Sequence, residues 1–270
     1  MSEKLQIHDH DPIVCKNCHH IYHGKYCSEC GQKSETNRFT MKHIIETTSH
    51  AFFNVFFFFE RGASLTFKEL LISPGQFLRN YLLGKRINHI TPIGYVLLVG
   101  TISTLLYTYF GDEIMNNMPF SEELTKDEGK VVSTKDVVKY VSEHQVLSTL
   151  ITIPLAAIIS FRVYKKVGYN YAEHLVVNAF LLSQQSMVSS FFIPLLLISK
   201  TKLITIMMTA VSYTYLAWGY HQFFQVKPFW KSILKSFTTV ILGYLFLILF
   251  AAFVGGLIVG ILQAVGKLKH

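Results

Sequence analysis

Charged residues are scarce in this sequence, at 16% of 270 positions, against about 25% in an ordinary soluble domain. Half of the residues are apolar, and the deficit of charge is concentrated in long uncharged runs after Thr91. Runs of that length expose too much apolar surface for a water-facing domain. The composition therefore excludes an ordinary soluble protein and predicts a membrane protein.

Glycine, proline and cysteine are also few, with 16, 7 and 4 copies. These counts exclude a collagen-like repeat and a secreted module held by many disulfides, and the apolar content excludes a disordered chain. The first 38 residues contain no apolar run, so they do not have the pattern of a signal peptide. We therefore expect the N-terminus to stay in the cytosol.

Motifs for catalysis are missing as well, since the sequence has no phosphate loop, no GxSxG and no HExxH. Asp and Glu are absent from all the long apolar runs, which argues against an ion-coupled pump, because such pumps bury carboxylates in the membrane. No nucleophile and base can be paired by spacing. We therefore expect no enzymatic activity.

All the cysteines of the chain fall in two CxxC pairs separated by eight residues: Cys15, Cys18, Cys27 and Cys30. This spacing brings four thiolates within reach of one tetrahedral ion, and Gly31 relieves the tight turn after the second pair. A reducing cytosol disfavours disulfides, so we predict structural zinc, with iron as the redox alternative. Four thiolates leave no open position for catalysis. The spacer histidines, His19, His20 and His23, are alternative ligands.

A metal site in a head of this size has two possible roles. The ordered head binds a partner, or the metal only stabilises a segment that is too small to bury a hydrophobic core. We expect a cytoplasmic protein partner. Nucleic acid is disfavoured, because the head has neither clustered arginines nor an aromatic stacking platform.

Five apolar runs approach the length of a membrane-spanning helix, which needs about 20 residues. They cover residues 92–110, 146–163, 175–199, 203–224 and 237–265. The predicted fold is an all-α polytopic membrane protein, with about five transmembrane helices preceded by amphipathic helices and a small N-terminal four-cysteine zinc ribbon. Its predicted divisions are a ribbon head at 1–34, an amphipathic, interfacial region at 35–91 and a membrane domain at 92–270, with an acidic extracytoplasmic insert at 111–145.

Short helices are predicted before the first span. Thr66 and Glu69 have the spacing of a capping box, and Pro74 restarts a helix. Four apolar side chains share one side of that second helix: Phe77, Leu78, Tyr81 and Leu82. Segment 40–61 is rich in Phe, but its apolar centre is only about half a span long. We expect these segments to lie at the membrane surface, the alternative being core helices of a small soluble domain.

The distribution of positive charge predicts the orientation. With the N-terminus inside, the inside segments hold 17 Lys and Arg and the outside segments hold 8. The short loops at 162–171 and 225–236 each agree with this assignment. We therefore predict a multi-pass membrane protein with a cytoplasmic N-terminus and an extracytoplasmic C-terminus.

The third predicted span carries a polar stripe. At about 100° per residue, four side chains fall within a narrow sector of the helix: His174, Asn178, Gln185 and Ser189. Polar groups in hydrocarbon face protein or water. The stripe therefore indicates either hydrogen bonding between helices or, with the fourth span, a path for a small solute.

The last span has small residues at intervals of four: Ala252, Gly256, Gly260 and Ala264. Small side chains at this spacing let helix backbones approach closely. The row predicts helix packing within one chain or between chains, so an oligomer is compatible with it.

Four short motifs follow one another before the first span: YCSECGQ at 26–32, LTFKELL at 65–71, SPGQ at 73–76 and YLLGKR at 81–86. In this order they resemble the bacterial membrane-protein family catalogued as domain of unknown function 3667. The likeness covers about residues 15–100. It implies a zinc-ribbon-bearing inner-membrane protein, and the family has no assigned activity.

Two functions follow from these observations. The first is a non-enzymatic scaffold whose ribbon and interfacial helices recruit a partner at the membrane surface. The alternative is a small-solute transporter or channel that uses the polar stripe of the third and fourth spans.

Overall fold

The computed structural model describes residues 12–34, 36, 38–45, 62–117 and 134–264. These residues form one antiparallel β-hairpin, a helical turn at 41–45 and nine α-helices. The strands are β1 (Ile13–Val14) and β2 (Ile21–Tyr22). The helices are α1 (Ala63–Ile72), α2 (Pro74–Leu82), α3 (Pro92–Asn116), α4 (Thr134–Glu143), α5 (Gln145–Val163), α6 (Tyr171–Ser190), α7 (Ile193–Ser199), α8 (Lys202–Phe224) and α9 (Phe229–Ala264).

Four segments of the described chain are long and apolar enough to cross a membrane: Pro92–Asn116, Gln145–Val163, Tyr171–Ser199 and Phe229–Val254. The all-α membrane fold is thus confirmed, but the number of apolar spans is four where we predicted about five. The predicted fourth span is present as α8, a helix of 23 residues. Its hydroxyl and aromatic side chains lower its hydropathy below that of the other four.

Helix ends differ from the predicted spans for local reasons. Helix α3 begins at Pro92, where the hydroxyl of Thr91 accepts a hydrogen bond from the Gly94 N–H at 3.2 Å. It continues to Asn116, inside the acidic insert. The third span is broken into α6 and α7 just before Pro194, whose ring disfavours a continuous helix. Residues 118–133 of the insert and 46–61 of the Phe-rich segment lie outside the described residues.

Helix α6 lies at the centre of the bundle and packs against α3, α5 and α8. The Phe180 ring meets those of Phe77 and Tyr81 edge-on, at 5.1 and 5.0 Å between centroids. The predicted apolar face of α2 is therefore buried in this core, because all four of its side chains are at most 9% exposed. The short helices before the first span are part of the bundle.

Helix α2 lies close to the C-terminal end of α8. A Cβ added at Gly75 would fall 2.3 Å from the backbone carbon of Gln222, so this contact needs glycine. Arg79 Nη1 donates to the carbonyls of Gln222 and Phe223, at 2.5 and 3.2 Å. These two carbonyls lie at the end of α8, where intrahelical donors run out. Arg79 thus closes the helix.

The connections between helices gather at two ends of the bundle. Arg38, just after the cysteine-bearing head, donates to the carbonyl of Gly168 in the α5–α6 connection at 3.0 Å. Lys235, near the start of α9, donates to the Val163 carbonyl at 3.4 Å. The two short basic loops that we assigned to one side of the membrane therefore lie at the same end as the head, which we call the ribbon end. A separate apolar cluster forms the opposite end: Ile114, Ile193 and Leu196.

Candidate metal centre and intramembrane polar cluster

Two backbone turns of the same design hold the cysteines. In the first, the Cys15 N–H donates to the His20 carbonyl and the His19 N–H donates to the Cys15 carbonyl, both at 2.9 Å. In the second, Cys27 and Gly31 repeat the pattern, with both bonds at 2.8 Å. The residue after each second cysteine has a left-handed backbone, with φ of 63° at His19 and 77° at Gly31. His19 thus matches Gly31 in backbone role and is not one of the clustered sulfur groups.

The four sulfur atoms form one compact group in which all separations are within 4.8 Å. Cys15 Sγ lies 3.6 Å from Cys30 Sγ, and Cys18 Sγ lies 3.5 Å from Cys27 Sγ. A tetrahedral zinc ion with Zn–S bonds of about 2.3 Å would set its ligands about 3.8 Å apart. All four cysteines are free, and the sulfur geometry fits a bound metal ion.

The electrostatics of the cluster also favour a cation. Burial raises the pKa of the Cys15 thiol, but hydrogen bonds from the backbone of Cys18 and Asn17 outweigh it and lower the pKa to about 7. At Cys18 the backbone hydrogen bond of His20 lowers the pKa, but burial and hydrogen bonds with the other three cysteines raise it to about 12. The neighbouring cysteines therefore favour the ionisation of Cys15 and oppose that of Cys18. A divalent ion removes that opposition and displaces the protons.

The ribbon, residues 12–34, is docked on the loop before α3. The buried Gln32 carboxamide bonds the backbone of that loop twice, since its Nε2 donates to the Gly84 carbonyl at 2.7 Å and its Oε1 accepts from the Arg86 N–H at 3.2 Å. Lys16 Nζ donates to the Thr36 carbonyl at 2.6 Å. The cysteine cluster is thereby held at a fixed place at the ribbon end.

An ion pair between an exposed arginine and a buried glutamate fastens the segment that follows the ribbon. Arg38 donates through Nε and Nη2 to the Glu173 carboxylate, at 2.7 and 2.8 Å. The same carboxylate accepts from the Asn170 N–H at 2.8 Å, while the Asn170 side chain accepts from the Glu173 N–H at 2.9 Å. This is a capping box at the start of α6. We call the Arg38–Glu173 pair the clamp. The sequence did not indicate the pair, although the Asn170–Glu173 spacing is a capping signal.

The predicted polar stripe is packed against neighbouring helices. His174, Asn178 and Gln185 are 1%, 0% and 8% exposed, and Ser189 is half-buried. The Asn178 carboxamide donates to Ser160 Oγ on α5 at 3.0 Å and accepts from the Tyr220 hydroxyl on α8 at 2.5 Å. We gave two interpretations of the stripe. Among the described residues, its side chains are arranged as the first of them, hydrogen bonding between helices, requires.

Ser160 and Tyr220 complete the cluster; Tyr220 lies on the fourth predicted span, which we expected to face the stripe, whereas sequence reasoning missed Ser160. Ser160 Oγ also lies 2.9 Å from His174 Nδ1, while His174 Nε2 is buried without a hydrogen-bond partner among the described residues. Farther along α6, Gln185 exchanges two hydrogen bonds with the Tyr244 hydroxyl of α9, at 2.9 and 3.1 Å. A cavity beside Tyr220 and Tyr244 has a volume of about 20 Å³, the size of one water. This space gives no support to a solute path along the stripe.

The small residues of α9 are not packed within the described chain where their surroundings are known. Ala252 and Gly256 are exposed, and a Cβ added at Gly256 would meet nothing within 4 Å. The surroundings of Gly260 and Ala264 lie outside what the structure describes. Packing between chains stays a prediction.

Gln184, which lies on α6 beside the stripe, links three parts of the bundle. Its Oε1 accepts from the Tyr95 hydroxyl of α3, and its Nε2 donates to the Phe67 carbonyl of α1 at 3.4 Å. Helices α1 and α3 are thus joined by a buried amide that is 0% exposed. The segment from α1 to the middle of α3 is one structural unit, wrapped against α6.

The comparisons with known proteins point to that same unit. No curated protein and no solved structure matches the chain. Residues 60–104, which contain α1, α2 and the first half of α3, match the family model described as Protein of unknown function (DUF3667), and this match confirms the resemblance that the sequence motifs indicate.

Proposed function

We propose that this protein is a non-enzymatic membrane scaffold, whose zinc-bearing ribbon binds a cytoplasmic protein at the inner face of the bacterial inner membrane. The observation that carries the proposal is an exposed apolar patch on the ribbon formed by Val14 and Ile21, which are 57% and 61% exposed. Tyr26 of the same ribbon is also exposed, at 62%. Apolar side chains grouped on a small, rigid surface are typical of a protein interaction site.

The hairpin geometry supports this use of the patch. Val14 and Ile21 are opposite each other across β1 and β2, so their side chains are neighbours on one face. Tyr22 belongs to the other face and is buried beside Cys15 and Cys27. One face of a two-residue hairpin is thus used for the metal centre, and the outer face is left for another molecule.

Zinc is the ion we propose for the cysteine cluster. Four thiolates in a reducing cytosol favour zinc, and a closed tetrahedral shell gives it a structural role. Since the ribbon buries only a small apolar cluster of its own, metal binding would supply most of the stability of the hairpin. Loss of zinc would then remove the patch.

The test compares two kinds of variant in the full-length protein, produced in membranes and crosslinked before purification. Val14→Ser with Ile21→Ser removes the patch and leaves the cysteines, so zinc content should stay at one ion per chain while the crosslinked partner is lost. If the partner buries both aliphatic side chains, each contributes about 1.5 kcal/mol to binding. Their loss should therefore weaken binding at least a hundredfold. Cys15→Ser with Cys18→Ser should lose both zinc and partner.

Val167→Ser is the matched control, because Val167 is also an exposed apolar residue at the ribbon end, at 37% exposed. It should leave the crosslinked adduct unchanged. Retention of the adduct in the patch variant, with zinc still bound, contradicts the assignment of the surface. Retention of zinc in the cysteine variant contradicts the metal centre.

A further inference from the structure

An open groove lies at the ribbon end, on the side of α2 that faces α8. It is formed where the α1–α2 junction, the end of α8 and the start of α9 meet, and its volume is about 980 Å³. Nothing in the proposed partner function uses it. We call it the basic groove, because its charged lining residues are Arg79 and Lys227, with His221 beside them.

No Asp or Glu is among the residues that line the basic groove in the described chain. Its other polar side chains are those of Ser73, Gln76, Gln222 and Gln225. The negative end of α8 is also satisfied, because Arg79 Nη1 donates to its last carbonyls. The Nε and Nη2 groups of the same guanidinium donate to none of the described residues. Arg79 is therefore held in place by one edge and can offer the other edge to an anion.

His221 is positioned in a comparable way. Its Nδ1 lies 2.8 Å from Ser232 Oγ, and its ring meets the Phe229 ring edge-on at 5.0 Å. Both contacts come from the first turns of α9, so they fix the imidazole at the mouth of the groove. Lys227 is exposed beside it and adds a mobile positive charge. An oxyanion in the groove would meet a fixed guanidinium, a fixed ring and a flexible ammonium.

The flanks of the basic groove are apolar and exposed on both sides. On α9, Phe229 and Trp230 are 59% and 77% exposed, and at the end of α1 Ile72 is 62% exposed. Exposed aromatic and aliphatic side chains next to a cluster of cations are typical of the level where acyl chains meet head groups. The groove therefore opens where a membrane lipid can enter it laterally.

We propose that the basic groove binds the phosphate-bearing head group of an anionic phospholipid. Arg79 and Lys227 would contact the phosphate, the glutamine amides would bond the polar remainder of the head group, and the acyl chains would lie along the exposed apolar flanks. The site is separate from the ribbon patch, so it stands or falls independently of the partner function.

The test is native mass spectrometry of the full-length protein in detergent, with phosphatidylglycerol or phosphatidylcholine added at matched concentrations. We expect phosphatidylglycerol to bind the protein more tightly than phosphatidylcholine does. Lys227→Gln should weaken phosphatidylglycerol binding by about fivefold, the effect of one cation near a lipid phosphate. Lys166→Gln, which removes the same charge from an exposed position at the same end, should not weaken it.

Arg79→Lys is the second variant, because it keeps the charge and one donor for the α8 carbonyls but loses the free edge of the guanidinium. It should also reduce the preference for phosphatidylglycerol by about fivefold while the melting temperature in detergent stays close to that of the wild type. Equal binding of the two lipids, or equal loss in the Lys227 and Lys166 variants, overturns the proposal. Competition by inorganic phosphate or glycerol phosphate at the same concentration as the lipid overturns the lipid as the source of the phosphate.

Discussion

The clamp offers a quantitative test of how the ribbon segment is held to the bundle. The two members of the pair differ in exposure, since 60% of the Arg38 side chain and 5% of the Glu173 side chain are accessible. Glu173→Gln keeps a side-chain oxygen for the capping box and removes only the charge. Arg38→Gln leaves the carboxylate in place without its cation. The two substitutions therefore remove the same pair with different consequences for what remains.

The expected costs follow from that asymmetry. A charge-assisted, two-pronged hydrogen bond is worth about 1.5–3 kcal/mol, and solvent at the exposed arginine reduces this coupling to about 1–2 kcal/mol. We expect Glu173→Gln to lower the free energy of unfolding by about 1 kcal/mol, because the released guanidinium can be hydrated. Arg38→Gln should cost about 2 kcal/mol, because a buried anion is left with the Asn170 N–H as its one backbone donor among the described residues.

The assay is equilibrium unfolding in mixed micelles, followed by the fluorescence of Trp218 and Trp230, for the wild type, both single variants and the double variant. Lys139→Gln is the control, since the Lys139–Asp112 pair is exposed on both sides and its loss should cost less than about 0.5 kcal/mol. A coupling energy below about 0.5 kcal/mol, or a larger cost for Glu173→Gln than for Arg38→Gln, would refute this account of the clamp.

Two further substitutions test the packing of the bundle. Asn178→Leu should lower the free energy of unfolding by about 2 kcal/mol, because it leaves the Tyr220 hydroxyl buried without its acceptor; an unchanged thermal unfolding temperature in detergent would mean that the cluster is not a structural one. Gly75→Ala should cost about 2 kcal/mol or more, because its Cβ would overlap the backbone of α8. Gly111→Ala has open space at its Cβ and should be neutral or up to about 1 kcal/mol stabilising, and equal effects of the two alanines would contradict the close approach.

Features encoded by local spacing could be predicted from the sequence. The two CxxC pairs predicted one sulfur cluster because four thiols within a short chain have few other ways to meet, and the structure brings them together. Apolar run length likewise predicted four of the spans, since the bilayer sets the length of a helix. The resemblance to the family was also recognisable from ordered motifs.

Features that depend on distant partners could not be predicted. Arg38 and Glu173 are 135 positions apart, and neither residue alone indicates the other. The α2 face has the periodicity of a surface helix and of a core helix alike, so only the packing against Phe180 decides between them. The fourth run was predicted as a span from its length, but its tyrosines and hydroxyl groups lower its hydropathy, and two of its tyrosines bond other helices. Tyr215, for example, donates to the Leu70 carbonyl at 3.0 Å.

The two hydrogen bonds that Gln32 makes with the loop before α3 constrain how the sequence of that loop can change. Its carboxamide forms these hydrogen bonds with main-chain atoms, the Gly84 carbonyl and the Arg86 N–H. Gln32 therefore does not depend on the identity of the side chains of that loop, whereas an insertion or deletion of one residue would shift both main-chain groups out of reach. Gly84 itself is restricted, because its φ is 109° and a Cβ there would lie 2.9 Å from Lys16. A ribbon with a different outer surface can thus replace this one on the same helical bundle, provided that Gln32, Gly84 and the length of the loop are kept.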